Sequence, residues 1–371
     1  MVLGELLATA PTTRQQLAHG TGLSTATVTR AIDVLIAERL ARVLHELPSS
    51  SPGRRAVLLQ ARGDGHAMVG IDIGATNTRF VTVDLQAKPS TRVSVATPSN
   101  LSSAELAAWV IELIAEHTAG SEAPVSAVAV GLPGAVNPET HVVTNAPHLM
   151  MVKEPNFSET LTRDVGTHVD FDNDANYALL GEFYFGAARG AHSAAMFTLG
   201  TGLGGAVLLD GHLVHGRNGL VGEFGSLPLG PLGSRLEHSL TGPSLLLRAA
   251  ELGILLESPV EIFRNDATRS LSMLRHQYEQ SLIVAITAAT VAADPDVIVL
   301  GGGIAASLSG SIPTIQESLT SNLGHSPRIA IAELAEFSGA YGAAVQALHH
   351  VYLTLGVQER DLSRLPAATT A

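Results

Sequence analysis

Three groups of residues in this chain have types and spacings that could do chemistry. In "FDNDANYALLGE" (171–182), Asn173 and Asp174 fall just past a short apolar run and just before a helix-like segment. A carboxylate there can accept a proton from a hydroxyl, and paired Asn and Glu side chains can read vicinal hydroxyls. In "DIGATNTR", Asp72, Gly74 and Thr76 occupy a turn between two strand-like runs. Glycine lets backbone N–H groups approach a phosphate at such a turn, and an aspartate can hold a hydrated metal ion. Near the amino terminus, "STATVTRAIDVL" carries Thr25, Ala26, Thr27, Thr29 and Arg30 on one side of a helical pattern. Small hydroxyls and arginine are the groups that reach base edges and phosphates in a major groove.

The elements that must position these residues follow from the apolar pattern. "HAMVGIDIGATNTRFVTVDLQ" reads as strand, tight turn, strand, and "MFTLGTGLGGAVLLDGHLV" repeats that plan. Gly200, Gly202 and Gly205 satisfy G-x-G-x-x-G, the spacing of a dinucleotide fingerprint. A β-like run at 206–209 follows, however, instead of the helix whose N-terminus would hold a pyrophosphate. "DPDVIVLGGGIAASL" is a buried strand ending in Gly301–Gly303 and entering a helix. Three glycine turns at strand ends describe an α/β chain of two lobes that clamps a nucleotide between repeated halves. Taken alone, D-x-G-x-T also fits a plain hairpin. Asn173 also fits a turn residue, with Asp174 as N-cap of the helix that follows.

Residues 1–62 read as a separate unit. "VLGELLAT" has helical spacing and stops at Pro11. "TTRQQLAHGTG" starts at a threonine cap and ends at Gly20 or Gly22, with Leu17 and Ala18 inward. Ser24 caps a third helix with Val28, Ala31, Ile32, Leu35, Ile36 and Leu40 on its inner side. The connection "HGTGLS" is short and glycine-bearing, as a helix-turn-helix requires. "ARVLHE" and "RRAVLLQ" then form a hairpin, so the segment reads as a winged helix-turn-helix. Ser24, Thr25, Thr27 and Arg30 would face DNA, and Arg54 and Arg55 of the wing would meet backbone or minor groove.

Composition agrees with this division. The 371 residues are 46% hydrophobic and 15% charged, which fits packed globular domains and excludes long disorder. The net charge of −12 is unevenly spread: residues 1–66 hold seven arginines against five acids, a net of +2, leaving −14 for the rest. Only the amino-terminal unit is therefore suited to approach phosphate. The absence of cysteine removes disulfides and thiolate metal sites. No run is long enough to span a membrane and no basic-then-apolar leader opens the chain, so a cytoplasmic protein is expected.

Together "DIGATNTR", "GLPGAVN", "DNDAN…GE", "GTGLGGAVLLDG…G…NGLVGEFG" and "DPDVIVLGGGIA" resemble the ROK family (repressors, open reading frames and sugar kinases) over about residues 3–350. The resemblance implies the duplicated, ribonuclease H-like fold of actin-like ATPases at 67–358. It also implies the winged unit of the repressor branch at 1–62, and leaves 359–371 as a flexible tail. By position it assigns Asp72, Gly74 and Thr76 to a first phosphate turn, Thr201 and Gly202 to a second, and Gly302 and Gly303 to the neighbourhood of adenosine. Gly134, Asn173, Asp174, Glu223 and Glu237 would contact sugar, with Asp174 the general base in the kinases.

The sequence departs from that family at one loop. Members with zinc read G-E-x-G-H followed by a cysteine-rich loop, whereas this chain reads "GEFGS", with Ser226 in the histidine position, and "LPLGPLGSRLEHSL" without cysteine. A tetrahedral site of that type lacks its thiolates and imidazole. His238 stands alone nearby, and no metal is expected. The loop must instead be held by packing, with Leu227, Leu229, Leu232 and Leu236 as anchors. Ala75 also replaces a glycine common in kinase phosphate turns.

The function expected from this reading is a sugar- or sugar-phosphate-responsive transcriptional regulator, a repressor that binds an operator in duplex DNA as a homodimer and needs no cofactor. The alternative is an ATP-dependent kinase of hexoses or N-acetylhexosamines, taking Mg·ATP in the glycine turns and using Asp174 as base.

Overall fold

The computed structural model describes residues 1–46, 56–144, 146, 149–230, 233–264 and 268–366. The amino-terminal unit holds α1 (Val2–Thr9), β1 (Thr12–Thr13), α2 (Arg14–Thr21), α3 (Thr25–Ala37), β2 (Ala41–Glu46) and β3 (Val57–Ala61). Its local signals act as their chemistry requires. Thr13 and Gln16 form a reciprocal capping box at the start of α2, and Gly22, at φ +70°, ends that helix in the left-handed region. The Ser24 side chain then accepts from the Thr27 N–H and opens α3. The strands form an antiparallel sheet in the order β1–β3–β2. Leu6, Leu17, Val28, Ile32, Ala41 and Leu59 make the core of this unit. Arg54 and Arg55 lie outside the described residues.

The body consists of two lobes of the same topology. The first holds β4 (Ala67–Ile73), β5 (Asn77–Val83), β6 (Pro89–Ala96), α4 (Ser103–Thr118), β7 (Val125–Leu132), β8 (Ala135–Val136), β9 (Val143–Thr144), α5 (Pro155–Asp164), β10 (His168–Asn173) and α6 (Asp174–Phe185). The second holds β11 (Ala194–Leu199), β12 (Leu203–Leu209), β13 (His212–Leu213), α7 (Glu237–Leu240), α8 (Gly242–Glu251), α9 (Arg269–Ala293), β14 (Val297–Gly301), α10 (Ile312–Leu323), β15 (Arg328–Ile331) and α11 (Ser338–Thr354). Each lobe has a mixed five-stranded sheet, ordered β6–β5–β4–β7–β10 in one and β13–β12–β11–β14–β15 in the other. In both, the first three strands run antiparallel to their neighbours and the last two are added in parallel. This is a duplicated α/β fold.

Two helices are sandwiched between the sheets: α6 packs on β11 and β12, α11 on β4, β5 and β7, and the helices pack on each other. Strand alternation makes this possible. In β7, Ala127 and Ala129 face the helices while Val128, Val130 and Leu132 face the outer layer. In β14, Val297 and Val299 turn inward and Ile298 and Leu300 outward. The two helices cross with almost no space between backbones. A Cβ on Gly342 would come 1.7 Å from the Tyr177 carbonyl oxygen, and one on Gly181 would come 2.3 Å from that of Ser338.

Glu182, fully buried, fastens the same crossing: its carboxylate accepts from the backbone N–H groups of Ala187, Glu333 and Leu334 and from the Ser338 hydroxyl. Charge-assisted bonds to four donors satisfy a carboxylate that would otherwise be costly to bury.

The amino-terminal unit is not a free bead on this body. Leu3 and Leu40 belong to the same core as Val357, Leu365 and the central helices. The terminal amine of Met1 donates to the Gly356 carbonyl, and Arg364 pairs with Glu5 at 3.5 Å. Residues 359–364, expected to begin a flexible tail, instead form a 3-10 turn, and Leu365 is completely buried. The reason is apolar: Leu362 and Leu365 fill a gap beside Tyr184 and the last turns of α11, and the Tyr184 hydroxyl donates to the Leu362 carbonyl.

Candidate active or effector site

The open ends of the two sheets face each other across a cleft of about 680 Å³. Hairpin turns and strand ends are the places where a sheet can present backbone to a ligand without breaking its ladder. Asp72, Gly74, Ala75 and Thr76 come from the turn between β4 and β5, and Gly200, Thr201 and Gly202 from the turn between β11 and β12. Gly302 and Gly303 follow β14. Gly134, Asn173, Asp174, Glu223 and Glu237 line the remainder, so the twelve positions expected in the body converge on one cavity.

The turns are built tightly. The Gly74 N–H donates to the Asn77 carbonyl, while the Thr97 hydroxyl, itself bonded to Thr78, donates to the Gly74 carbonyl. Gly302, at φ +85°, passes so close to Leu199 that a Cβ would fall 2.5 Å from its carbonyl oxygen. The segment after Gly303 first makes a 3-10 turn at Ala305–Leu308, and α10 starts only at Ile312, later than the sequence pattern suggests.

At the end of β10 the capping assignment differs from the expected one. Asn173, not Asp174, is the N-cap of α6: its Oδ1 accepts from the N–H groups of Ala175 and Asn176, and its Nδ2 donates to the Gly134 carbonyl at 2.9 Å. A carboxamide can both accept and donate, so it joins the helix start to the Gly134 turn. One Nδ2 proton remains for a ligand. Asp174 is left as the first residue of the helix, with only its Oδ1 engaged by the Ala175 N–H, 2.8 Å away. It opens onto the cleft.

The acids share an electrostatic problem. Burial pushes the Asp174 carboxyl up to about 7, and Asp72 and Glu223 add to the effect by repulsion. Burial likewise raises Asp72 to about 6, opposed by Arg79. Both side chains are only half-buried, because cleft water reaches them; water tempers the shifts but leaves their sign. Near neutral pH this cluster can hold a proton and can exchange it with a hydroxyl.

Two supports escaped the sequence reading. Arg79 lines the cleft and faces Asp72 directly across the β4–β5 hairpin. It donates to the Asn77 carbonyl and pairs with Glu336 at 3.4 Å. Its signal was available: positions 72 and 79 are symmetric about the turn. Asp172, nearly buried, accepts from the Asn173 N–H and the Asn176 carboxamide, and its other oxygen meets His215 Nε2 at 2.7 Å. His215 starts the loop that carries Glu223. It lies 43 residues from Asp172, and no spacing rule links them.

The loop that lacks cysteine closes by backbone pairing: Leu236 donates to Leu227 and Leu229 to Ser234, with Pro228 bridged to Arg235. Leu236 is fully buried, and Leu227 and Leu229 pack against the second-lobe core. Leu232 lies outside the described residues. Ser226 is exposed at the cleft wall, and the exposed His238 accepts from the Arg235 N–H. These residues do not fit the family's zinc loop.

In the amino-terminal unit, Ser24, Thr25, Ala26, Thr27 and Arg30 are exposed, while Thr29 is half-buried. Among the described residues no helix is long and apolar enough to cross a membrane.

The model of the ROK family matches residues 68–350. The chain belongs to the ROK family. This ROK protein is 32% identical to the glucokinase of Thermotoga maritima over 166 residues, 45% of this chain and 52% of that one. The chain thus spans about half the length of the curated glucokinase it matches. Among solved structures, a glucokinase from Streptomyces griseus in complex with glucose and AMPPNP is 25% identical with a TM-score of 0.62. That match covers 76% of this chain and 99% of the other. A ROK family transcriptional regulator, a homolog of the E. coli MLC protein, superposes over 98% of this chain and 97% of its own with a TM-score of 0.79. At 21% identity that likeness shows the fold alone. The ROK body is therefore established as a two-lobed, actin-like ATPase fold preceded by a short helical region with its own small sheet.

Proposed function

We propose that this ROK protein is a DNA-binding transcriptional regulator, a repressor of carbohydrate genes whose effector is a sugar or sugar phosphate held between the lobes. The observation that carries the reading is the path from cleft to amino-terminal unit. Helix α11 is 17 residues long, about 25 Å at 1.5 Å per residue. Its first residues, Ser338 and Gly339, line the cleft; just past its last turn, Gly356 and Val357 meet Met1 and Gly4. A ligand that prefers one separation of the lobes thereby has a physical means to bias the amino-terminal unit. The three-residue connection 22–24 and the exposed Thr25, Thr27 and Arg30 support a helix-turn-helix, with α3 as the reading helix. Two copies about a two-fold axis would set two such helices on the half-sites of a near-palindromic operator.

In this reading Asp174, Glu223, Glu237 and the free Asn173 proton take sugar hydroxyls, and the turns at 72–76 and 200–202 take a phosphate. Fluorescence anisotropy with promoter fragments from the protein's own genome, with and without a panel of sugars and sugar phosphates, tests it. Binding that a particular sugar weakens or strengthens is expected. Failure to retain any fragment would overturn the proposal.

A second reading, an ATP-dependent sugar kinase, is favoured by the convergence of Asp72, Asp174 and three glycine turns on one cavity. Phosphoryl transfer would place Mg·ATP along the turns and a hydroxyl beside Asp174, which takes its proton. ATP-dependent phosphorylation of a hexose or N-acetylhexosamine that Asp174→Asn abolishes would establish it.

A further inference from the structure

We propose that His168, Asp170 and His350 form a binding site for a divalent transition-metal ion, on the rim of the first lobe and separate from the cleft. Their ligand atoms all lie within 4.8 Å of one another, and among the described residues this is the one group of three or more His, Cys, Asp or Glu side chains so placed. His168 and Asp170 are two apart on β10, so alternation puts both on one face of an edge strand. His350 comes from α11, which packs beside that strand. His168 Nε2 approaches Asp170 Oδ1 at 3.0 Å, and Gln346, one helical turn before His350, donates to the other oxygen, Oδ2, at 3.4 Å. That bond orients the carboxylate and leaves Oδ1 for the imidazoles' side, as outer partners do in metal sites.

The two imidazoles are stacked with ring centres 3.4 Å apart and planes 2° from parallel. Two protonated rings would repel at that distance. Loading requires the rings to tilt out of the stack, so that both lone pairs point to an ion about 2.0–2.2 Å from each ligand. One of the three side chains is exposed and the other two are half-buried, so none is locked in a closed core. Two imidazoles and one carboxylate suit an ion of intermediate softness such as Zn²⁺, whereas Mg²⁺ and Ca²⁺ favour all-oxygen shells. Water would complete the coordination. Such an ion would clip β10 to the carboxyl-terminal half of α11.

The test uses the full chain without an affinity tag, dialysed against chelator and titrated with ZnCl₂ by calorimetry. One equivalent per chain is expected, with a rise in melting temperature. His168→Asn and His350→Asn should each weaken binding by about tenfold or more and remove the thermal shift. Without metal, the variants should melt at nearly the same temperature as the parent, because the positions are near the surface. Co²⁺ should give the visible absorption of a low-coordinate site in the parent and not in the double variant. The proposal fails if the parent takes up no Zn²⁺, or if the double variant H168N/H350N binds it with unchanged stoichiometry and affinity.

Discussion

Gly339, the second residue of α11, lies so close to Asp72 that a Cβ on it would fall 2.7 Å from the carboxylate Oδ2. The cleft carboxylate keeps its position because the helix start has no side chain there. The same helix ends against the amino-terminal unit, so Asp72 and the first helix of the chain are contacts of one rigid rod.

Gly339→Ala should therefore displace the Asp72 side chain rather than unfold the protein, since what the new methyl meets is side chain and not backbone. In the kinase reading, affinity for a magnesium nucleotide, whose phosphates would lie at the 72–76 turn, should fall by about tenfold, a change of about 1.4 kcal/mol. Sugar-dependent thermal stabilisation should stay within about twofold in apparent affinity. Equal loss of both would show that the two ends of the cleft are not separable.

The acid cluster gives a pH dependence of definite sign. A carboxyl whose folded pKa lies above its unfolded value of about 3.9 binds its proton more tightly in the folded state. Stability then falls as pH rises through the window from about 4 to the folded values, about 6 for Asp72 and about 7 for Asp174, and levels off above it. Asp174→Asn removes part of that cost. The variant should be more stable than the parent at pH 8 by about 1–3 kcal/mol, a figure reduced for the water that reaches the group, and nearly equal at pH 4. Urea midpoints at the two pH values check it; parallel profiles would contradict it.

The His215–Asp172 pair has the same sign in a higher pH window, although here the protonated form gains a partner rather than escaping a cost. The hydrogen bond to Asp172 raises the imidazole above its ordinary value. Its contribution is full below the unfolded pKa of about 6.5 and is lost as pH rises through the higher folded value. Because the pair joins the first lobe to the loop that carries Glu223, His215→Ala should weaken sugar binding several-fold at pH 6 and less at pH 8.5. Calorimetric titration of the same sugar at both values measures this. A loss independent of pH would assign His215 a packing role only.

Leu365→Ala distinguishes a packed carboxyl-terminal segment from a loose one. Burial of the whole side chain predicts a loss of about 2–4 kcal/mol in the urea unfolding free energy. A loose tail would give a change near zero. Proteolysis within 359–366 should be slow in the parent and faster in the variant.

Much of this was legible beforehand. The strand–glycine–strand units predict the turns at 74–76 and 200–202, and the β-like run after Gly205 correctly argues against a dinucleotide fingerprint, since β12 follows. Capping chemistry located the start of α3 at Ser24 and that of α2 at a threonine, which the structure makes Thr13. What was not legible depends on distance along the chain. Asp172 and His215 meet only once two lobes are folded together, and Gly339 against Asp72 is a contact between the first strand of the body and its last helix. Asn173 and Asp174 are both good N-caps by type, and only the path of β10 decides between them. Leu362 and Leu365 looked like isolated apolar residues in a polar tail because the gap they fill is built by residues far away in sequence.

The crossing at Gly181 and Gly342 has a further implication for how such a protein can diversify. Backbone touches backbone there, so neither position can accept even one extra carbon without prying the lobes apart. Change in ligand preference must then accumulate at the rim, in loops such as 214–223 and 227–236, while the middle of the molecule stays frozen like the pin of a hinge.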